Sequence, residues 1–513
     1  MKKTILVLFA LSLVLLSLAP VSSQASAIVD PRVLQDTTNG AVGNFIVVLK
    51  SQAPTRAIAA STNDPMARGR AVYSALKQIA DATQPAVRAQ LDSLGVKYRA
   101  FYVVNALAVE GNRAVVDALA ARADVQSIEP DRAFRVSLEQ PESGALSSPT
   151  TIEWNINKIT APSLWNLGYR GQGIVYANAD TGVQWDHPAL KSHYRGWNGT
   201  TVDHNFNWWD AIQSPIVGGS ICGYATLAPC DDYGHGTHTM GTGIGDDGAG
   251  NQIGVAPGAK WMACRNMDDG TGRPSTYISC YQFFLAPTDL SGNNANPDLR
   301  PDAVGNSYTC PLGPPPSGEE CSITSLQNAI TNLRAAGIFM SVSAGNSGSG
   351  CSTINEPPSV YDLSITVGAT DSNDNIVGFS SRGPVTIDGI TLMKPNLVAP
   401  GWFVRSSIPT NGYGYESGTS MSAPHVAGAV ALLWSAFPQL RRNVNETEYL
   451  LEQSAAHFTT TQGCGGDSST QMPNNVYGYG RVDVMAAYNL ALSTGFPPNR
   501  FYYFPLLLNG TTP

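Results

Sequence analysis

The chain has 513 residues, of which 43% are hydrophobic and only 14% charged, and its formal net charge is -8. That length exceeds one ordinary hydrophobic core and implies two or three domains. The acidic balance, without any Lys/Arg cluster, argues against a nucleic-acid partner.

The chain opens with Met1-Lys2-Lys3, an apolar run over residues 5–18 and the small residues Ala25-Ser26-Ala27. This is the three-part layout of a secretory signal with its cleavage site. The run is short for a bilayer span, and no other stretch approaches that length. Residues 1–27 are therefore expected to be removed and the remainder exported, with no transmembrane segment in the mature chain. Eight cysteines suit an oxidising compartment, because an even count there implies disulfides. None has C-x-x-C spacing, which argues against zinc. The count leaves connectivity open, and proximity favours Cys222 with Cys230, Cys264 with Cys280, Cys310 with Cys321, and Cys351 with Cys464.

Residues 28–138 form a cysteine-free unit. A strand at 45–49 is followed by Val72, Leu76, Ile79, Val87, Leu91 and Leu94 at helical spacing, and then by two strands within 98–109. A helix over 113–121 and a strand at 125–128 complete a β-α-β-β-α-β order, the ferredoxin-like α+β arrangement. Residues 139–151, rich in proline and serine, read as an exposed linker open to proteolysis.

Over residues 152–495, short apolar runs at 174–179, 261–264, 303–306, 338–343 and 364–367 alternate with helical patterns such as Ile323, Leu326, Ile330 and Leu333, stopped by Gly337. The alternation predicts an α/β domain whose mostly parallel sheet is covered by helices. Sites in such folds gather at the carboxyl ends of the strands.

Three places carry chemistry, two of them at strand ends. Asp180 closes the first of these strands in Ala179-Asp180-Thr181-Gly182. His235 stands between two glycines in Gly234-His235-Gly236-Thr237-His238. Asn346 follows another strand in Ser343-Ala344-Gly345-Asn346-Ser347-Gly348. Farther on, Gly418-Thr419-Ser420-Met421-Ser422-Ala423-Pro424-His425 leads into the apolar run Ala429-Val430-Ala431-Leu432-Leu433-Trp434, setting a hydroxyl where a loop becomes a buried helix. Ser420 reads as a nucleophile served by free helix N–H groups and the positive end of the helix dipole. Taken singly, each residue has a plainer reading: Ser420 or Thr419 as a helix cap, Asp180 as a loop cap, His235 as a satisfied loop histidine, Asn346 as a turn residue.

Together these motifs resemble the subtilisin-like serine peptidases, whose Asp, His, Ser chain order is the order found here. The resemblance covers residues 154–492, and residues 264–290 and 308–321 are similar to the bacillopeptidase F branch. It implies a three-layer subtilisin-like domain, a triad of Asp180, His235 and Ser420, and Asn346 as oxyanion donor. It further implies an extended substrate backbone along Asn306-Ser307-Tyr308, with Ala344 and Gly345 as additional substrate-binding positions. Protein or peptide substrates follow, as does no cofactor for catalysis, and the upstream unit resembles the inhibitory propeptide and folding aid of the family.

Several residues stand outside that core pattern. Ala189 occupies a position where many relatives carry a calcium-binding aspartate. The loop 246–251 offers oxygen ligands without an EF-hand pattern, so a structural calcium ion is left without assigned ligands. His187, His238 and His425 read as structural. No second Asp-Thr-Gly accompanies Asp180, which sets aside an aspartic peptidase. The wall at Asn355-Glu356-Pro357 is polar and leaves side-chain preference open. The aromatic run in the tail 496–513 suggests surface retention or packing on the domain. Asn198, Asn445 and Asn509 head glycosylation sequons. Two rival readings remain at this level, a catalytically silent peptide-binding relative and a processing peptidase with one target.

Overall fold

The computed structural model describes residues 27–136, 142–143, 152–312, 321–387 and 389–499. The expected signal segment up to residue 26, most of the 139–151 linker and the tail from residue 500 lie outside the described residues.

The first unit contains β1 (Gly43–Leu49), α1 (Thr55–Ser61), α2 (Pro65–Leu94), β2 (Lys97–Phe101), β3 (Ala106–Gly111), α3 (Arg113–Ala120) and β4 (Val125–Pro130). Asp64 caps α2 by accepting from the Ala67 N–H, with proline in the first turn, and Gly95 ends the helix in a left-handed conformation. The strands pair in the order β4-β1-β3-β2, all antiparallel, with residues 28–29 added in parallel outside β4. The expected β-α-β-β-α-β order is present, with α1 inserted after the first strand. Val87, Leu91, Phe45, Val47, Leu107 and Ile128 form a core belonging to this unit.

Two short strands follow, β5 (Phe134–Arg135) and β6 (Glu142–Ser143). Glu142 and Ser143, expected in an open linker, instead pair with Tyr415 and Gly414 of a strand far along the chain.

The remainder supplies β7 (Val175–Asp180), β8 (Trp208–Asp210), α4 (His235–Ile244), β9 (Lys260–Arg265), β10 (Thr271–Gly272), α5 (Pro274–Leu285), β11 (Ala303–Asn306), α6 (Gln327–Ala335), β12 (Phe339–Ser343), β13 (Ile365–Thr370), β14 (Leu397–Pro400), β15 (Val404–Ile408), β16 (Gly412–Glu416), α7 (Thr419–Ala436), α8 (Val444–Gln453) and α9 (Val484–Ser493). Seven strands pair in parallel in the order β14-β13-β12-β11-β7-β9-β8. Alternate strand residues feed two cores. Tyr176 joins α4 and α7 on one face, while Ala177 and Ala179 join α5 and α6 on the other. This is the helix–sheet–helix layering that the alternating pattern predicts. The second core also takes in Val72, Leu76, Phe101, Val103 and Phe134, so the first unit docks on the α5/α6 side.

Four elements differ from the sequence expectation, each for a local reason. All but one of the residues of α5 are buried, so no polar face marks its period. Strands β8 and β14 have three and four residues, too few to show alternation. Helix α6 begins only at Gln327 because the hydroxyls of Ser322, Thr324 and Ser325 donate to Glu129 of the first unit.

The four disulfides join the pairs that proximity favours. Cys351–Cys464 closes a separation of 113 residues, for which chain entropy predicts about 4–5 kcal/mol of stabilisation. Replacing both cysteines by serine should lower the urea midpoint of the Ser420→Ala chain by the corresponding amount; an unchanged midpoint refutes this.

Candidate active site

The carboxyl edge of the seven-stranded sheet brings the predicted residues together. Asp180 is the last residue of β7, His235 the first of α4, Ser420 lies in the first turn of α7, and Asn346 follows β12. Residues separated by up to 240 positions thus meet because parallel strands all end on one edge.

His235 Nδ1 donates to Asp180 Oδ1 at 2.8 Å, with both side chains wholly buried. Asp180 also accepts from the Thr181 N–H at 2.7 Å and the Thr239 hydroxyl at 3.1 Å. These donors hold the carboxylate in place, and the Nδ1–H bond leaves Nε2 as the lone-pair nitrogen of the neutral ring. His235 Nε2 is buried without a hydrogen-bond partner, a state that costs about 1–3 kcal/mol and is characteristic of a functional group waiting for a ligand.

Asp231 ties this arrangement together. Its Oδ1 accepts from the Thr181 hydroxyl and the Tyr233 and Gly234 N–H groups, and its Oδ2 from the Thr237 N–H and hydroxyl. One carboxylate thereby caps the start of α4 and joins it to the end of β7. The sequence reading passed over Asp231; an acid four residues ahead of a helix start was its available signal. Gly236 permits the close fit, because a side chain there would run into the Gly182 carbonyl. Behind Asp231, buried Arg265 pairs with Asp210 at 3.3 Å, Asp268 at 3.4 Å and Asp232, anchoring the loop that precedes His235.

All 18 residues of α7 are buried. The Ser420 hydroxyl donates to the Ser307 carbonyl at 3.0 Å, and the Ser307 hydroxyl donates to the Ser420 carbonyl at 2.8 Å. The second bond has a sequence cause: Pro424, four residues on, has no N–H to give that carbonyl. Ser420 and His235 share no hydrogen bond in this arrangement, in which the serine hydroxyl is engaged by the Ser307 carbonyl.

Asn346 Oδ1 accepts from the Thr419 N–H at 3.0 Å and the Thr419 hydroxyl at 2.9 Å. With its oxygen so engaged, the amide NH2 is left as a donor. Asn346, Thr419 and Ser420 line a cavity of about 250 Å³ together with Ser307, Tyr308 and Thr309 on one wall and Arg135 and Val136 on the other.

The expected substrate positions divide. Ser307, Tyr308 and Gly345 line that cavity. Asn306 lies inside the sheet, paired on both sides, and its Oδ1 accepts from the Tyr281 hydroxyl. Ala344 is buried, its N–H bonded to the Val367 carbonyl. Phe134 and Arg135 pair antiparallel with Gly272 and Thr271, and the Val136 N–H donates to the Gly270 carbonyl at 2.9 Å. Of the polar wall anticipated at residues 355–357, Glu356 lines the cavity and accepts from the Thr309 hydroxyl.

Three further histidines of the sequence motifs, His425, His238 and His187, are held by hydrogen bonds to main chain. His425 donates from Nδ1 to the Met421 carbonyl and accepts at Nε2 from Asn155, and burial pushes its pKa down to about 4. His238 donates to the Val404 and Gly414 carbonyls, and burial pushes it down to about 3. His187 bonds to the Gly412 carbonyl at 2.8 Å. In the 246–251 loop, Asp246 accepts from the Gly248 N–H and pairs with Arg170, and Asp247 accepts from Ala249, Asn251 and Tyr413. Those oxygens are hydrogen-bonded within the loop and to Arg170 and Tyr413. Among the described residues no group of three or more His, Cys, Asp and Glu side chains is placed to hold a metal.

A three-layer α/β domain with a buried carboxylate–imidazole pair and a serine at the start of a buried helix defines the class as serine-type endopeptidase. The chain belongs to the subtilase family, whose model matches residues 171–480. It is 36% identical to Bacillopeptidase F of Bacillus subtilis (strain 168) over 439 residues, covering 81% of this chain and 28% of that protein. It is 30% identical to Subtilisin DY of Bacillus licheniformis over 339 residues, 66% of this chain and 98% of that one. With Subtilisin E of Bacillus subtilis (strain 168), identity is 28% over 367 residues, 70% and 80% of the two chains. The chain thus spans little more than a quarter of Bacillopeptidase F and most of the length of the two subtilisins. Among the described residues no helix is long and apolar enough to cross a membrane.

Proposed function

We propose that the chain is a secreted serine endopeptidase that hydrolyses peptide bonds in proteins and is made as a self-processing precursor. The observation that carries this reading is the buried 2.8 Å bond from His235 to Asp180 at the sheet edge where Ser420 begins α7.

In the proposed reaction the Ser420 Oγ attacks the scissile carbonyl carbon while His235 Nε2 takes its proton, and Asp180 stabilises the resulting imidazolium. The carbonyl oxygen becomes an oxyanion held by the Asn346 NH2 and the Ser420 N–H. His235 returns the proton to the leaving amine as the C–N bond breaks. Water then attacks the acyl-enzyme with His235 again as base, releasing the acid and restoring Ser420. Protein groups and water complete the cycle.

The substrate chain is proposed to lie extended between residues 270–272 and 307–309, a β-augmentation mode. Phe134–Val136 already run there, which supports the first unit as an intramolecular inhibitor whose own continuation is the first substrate. Export is supported by the leader, by four disulfides and by the resemblance to secreted relatives; the aromatic tail would retain the protein at a surface.

Intact mass of the expressed chain tests this reading. The expected product begins in or near the 139–151 linker and accepts one fluorophosphonate adduct on Ser420. A folded chain that stays uncut and unlabelled would overturn it in favour of a silent peptide binder. Asn346→Ala should lower kcat about 100- to 1000-fold with little change in KM, because the donor acts on charge that develops only in the transition state. Steady-state kinetics on a peptide ester would check this, and a loss confined to KM would contradict it.

A further inference from the structure

A second cavity lies away from the active site, between the first unit and the peptidase domain, with a volume of about 290 Å³. Its walls carry Arg56 from α1, Arg68 from α2, Arg334 from α6, and Arg442 with Asn443 just ahead of α8. No carboxylate is among its described lining residues.

The carboxylates paired with this cluster are few. Glu448 binds Arg334, and Asp302 is shared by Arg441 and Arg442 at 2.8 and 2.9 Å. Asp64 acts on Arg68 only through its field. Arg68 donates to the Arg442 carbonyl, and Arg56 makes no hydrogen bond or ion pair among the described residues. Arg300 packs behind them against Gly69, where any side chain would strike its guanidinium. Burial and the neighbouring cations push Arg300 down to about 9.

Two further features belong to the lining of the same cavity. Asn443 makes no side-chain bond to the 10-residue helix α8, whose first turn carries Glu446 as its one acidic side chain, so the first-turn N–H groups lack an Asn443 cap, and Asn443, Val444 and Asn445 of that positive helix start line the cavity. Arg442 is 2% exposed and its Nη atoms donate to the Pro301 and Arg300 carbonyls, which leaves its Nε as the one nitrogen without a partner, and the Nε of Arg68 is likewise buried and unpartnered. A helix start, unsatisfied guanidinium donors and a cavity without carboxylates are together the elements of an oxyanion site.

We propose that this interface cavity binds a tetrahedral oxyanion of the phosphate or sulfate class. The anion bridges Arg56 and Arg68 of the first unit to the α8 start and Arg442 of the peptidase domain, and so strengthens docking of the one on the other. The proposal concerns binding and stands whether or not the peptidase reading holds.

The test uses the full chain carrying Ser420→Ala, in which the two units stay joined whatever the activity. Inorganic phosphate is titrated calorimetrically at constant ionic strength set with sodium chloride, alongside the same chain with Arg56→Gln and Arg68→Gln. Saturable binding near one equivalent, weakened at least tenfold by the double substitution, is the expected result. No saturable heat, or equal affinity in the two chains, overturns it. Circular dichroism checks folding, and Arg56→Gln alone, at an exposed and unpaired residue, should still weaken binding severalfold; an unaltered affinity there counts against the site. A parallel titration with phosphoserine identifies the source: tighter binding than phosphate means an esterified group, weaker binding the free anion.

Discussion

Ser420→Ala is expected to reduce kcat/KM on a denatured protein by about 10⁶-fold, the magnitude known for loss of this serine in subtilisin, and to leave the chain at its full length after export. The loss follows from chemistry alone, because alanine has no oxygen to form the acyl bond. The fold should be preserved: the deleted hydroxyl makes one bond, to the Ser307 carbonyl, while the reciprocal bond from the Ser307 hydroxyl goes to a main-chain oxygen that alanine retains. Protein turnover by the purified chain and its intact mass are the two readings. If the alanine chain is processed in isolation and hydrolyses protein at the parent rate, Ser420 is not the nucleophile.

Asp180→Asn should cost about 10⁴-fold in kcat. Asp180 receives an N–H, a hydroxyl and the imidazole, so an amide of the same shape must turn an NH2 toward one of these donors. Turned toward His235, it forces the proton onto Nε2 and removes the base. The packing volume is conserved, so KM and the unfolding midpoint should move little beside kcat. A loss shared equally by stability and activity would instead assign Asp180 a purely structural part. Thr239→Val offers a graded control, since it removes one donor to the same carboxylate and leaves the imidazole bond intact.

Much of this was legible before any coordinates. The strands bearing Asp180 and Asn346, and the helix opened by Ser420, were readable because each motif couples an apolar run to small residues and one reactive side chain. The order within the first unit was readable from the spacing of Val72 through Leu94. Less legible were α5, buried on nearly every side, and β8 and β14, too short for a period. Four of the donors to Asp231 are local, from Tyr233, Gly234 and Thr237, and what stayed hidden was the fifth, the Thr181 hydroxyl fifty residues back, which ties the α4 start to the end of β7.

Sequence alone therefore determined which side chains could do chemistry, in what order they occur, and which local elements would carry them, because those depend on neighbours along the chain. Tertiary structure decided the rest. It turned the Ser420 hydroxyl to Ser307, brought Arg135 and Val136 into one cavity lining with Ser307–Thr309, placed Asn306 inside the sheet and gathered arginines from α1, α2, α6 and the start of α8 around one cavity. Those outcomes depend on distance and burial between segments remote in sequence, and no periodicity or motif records them.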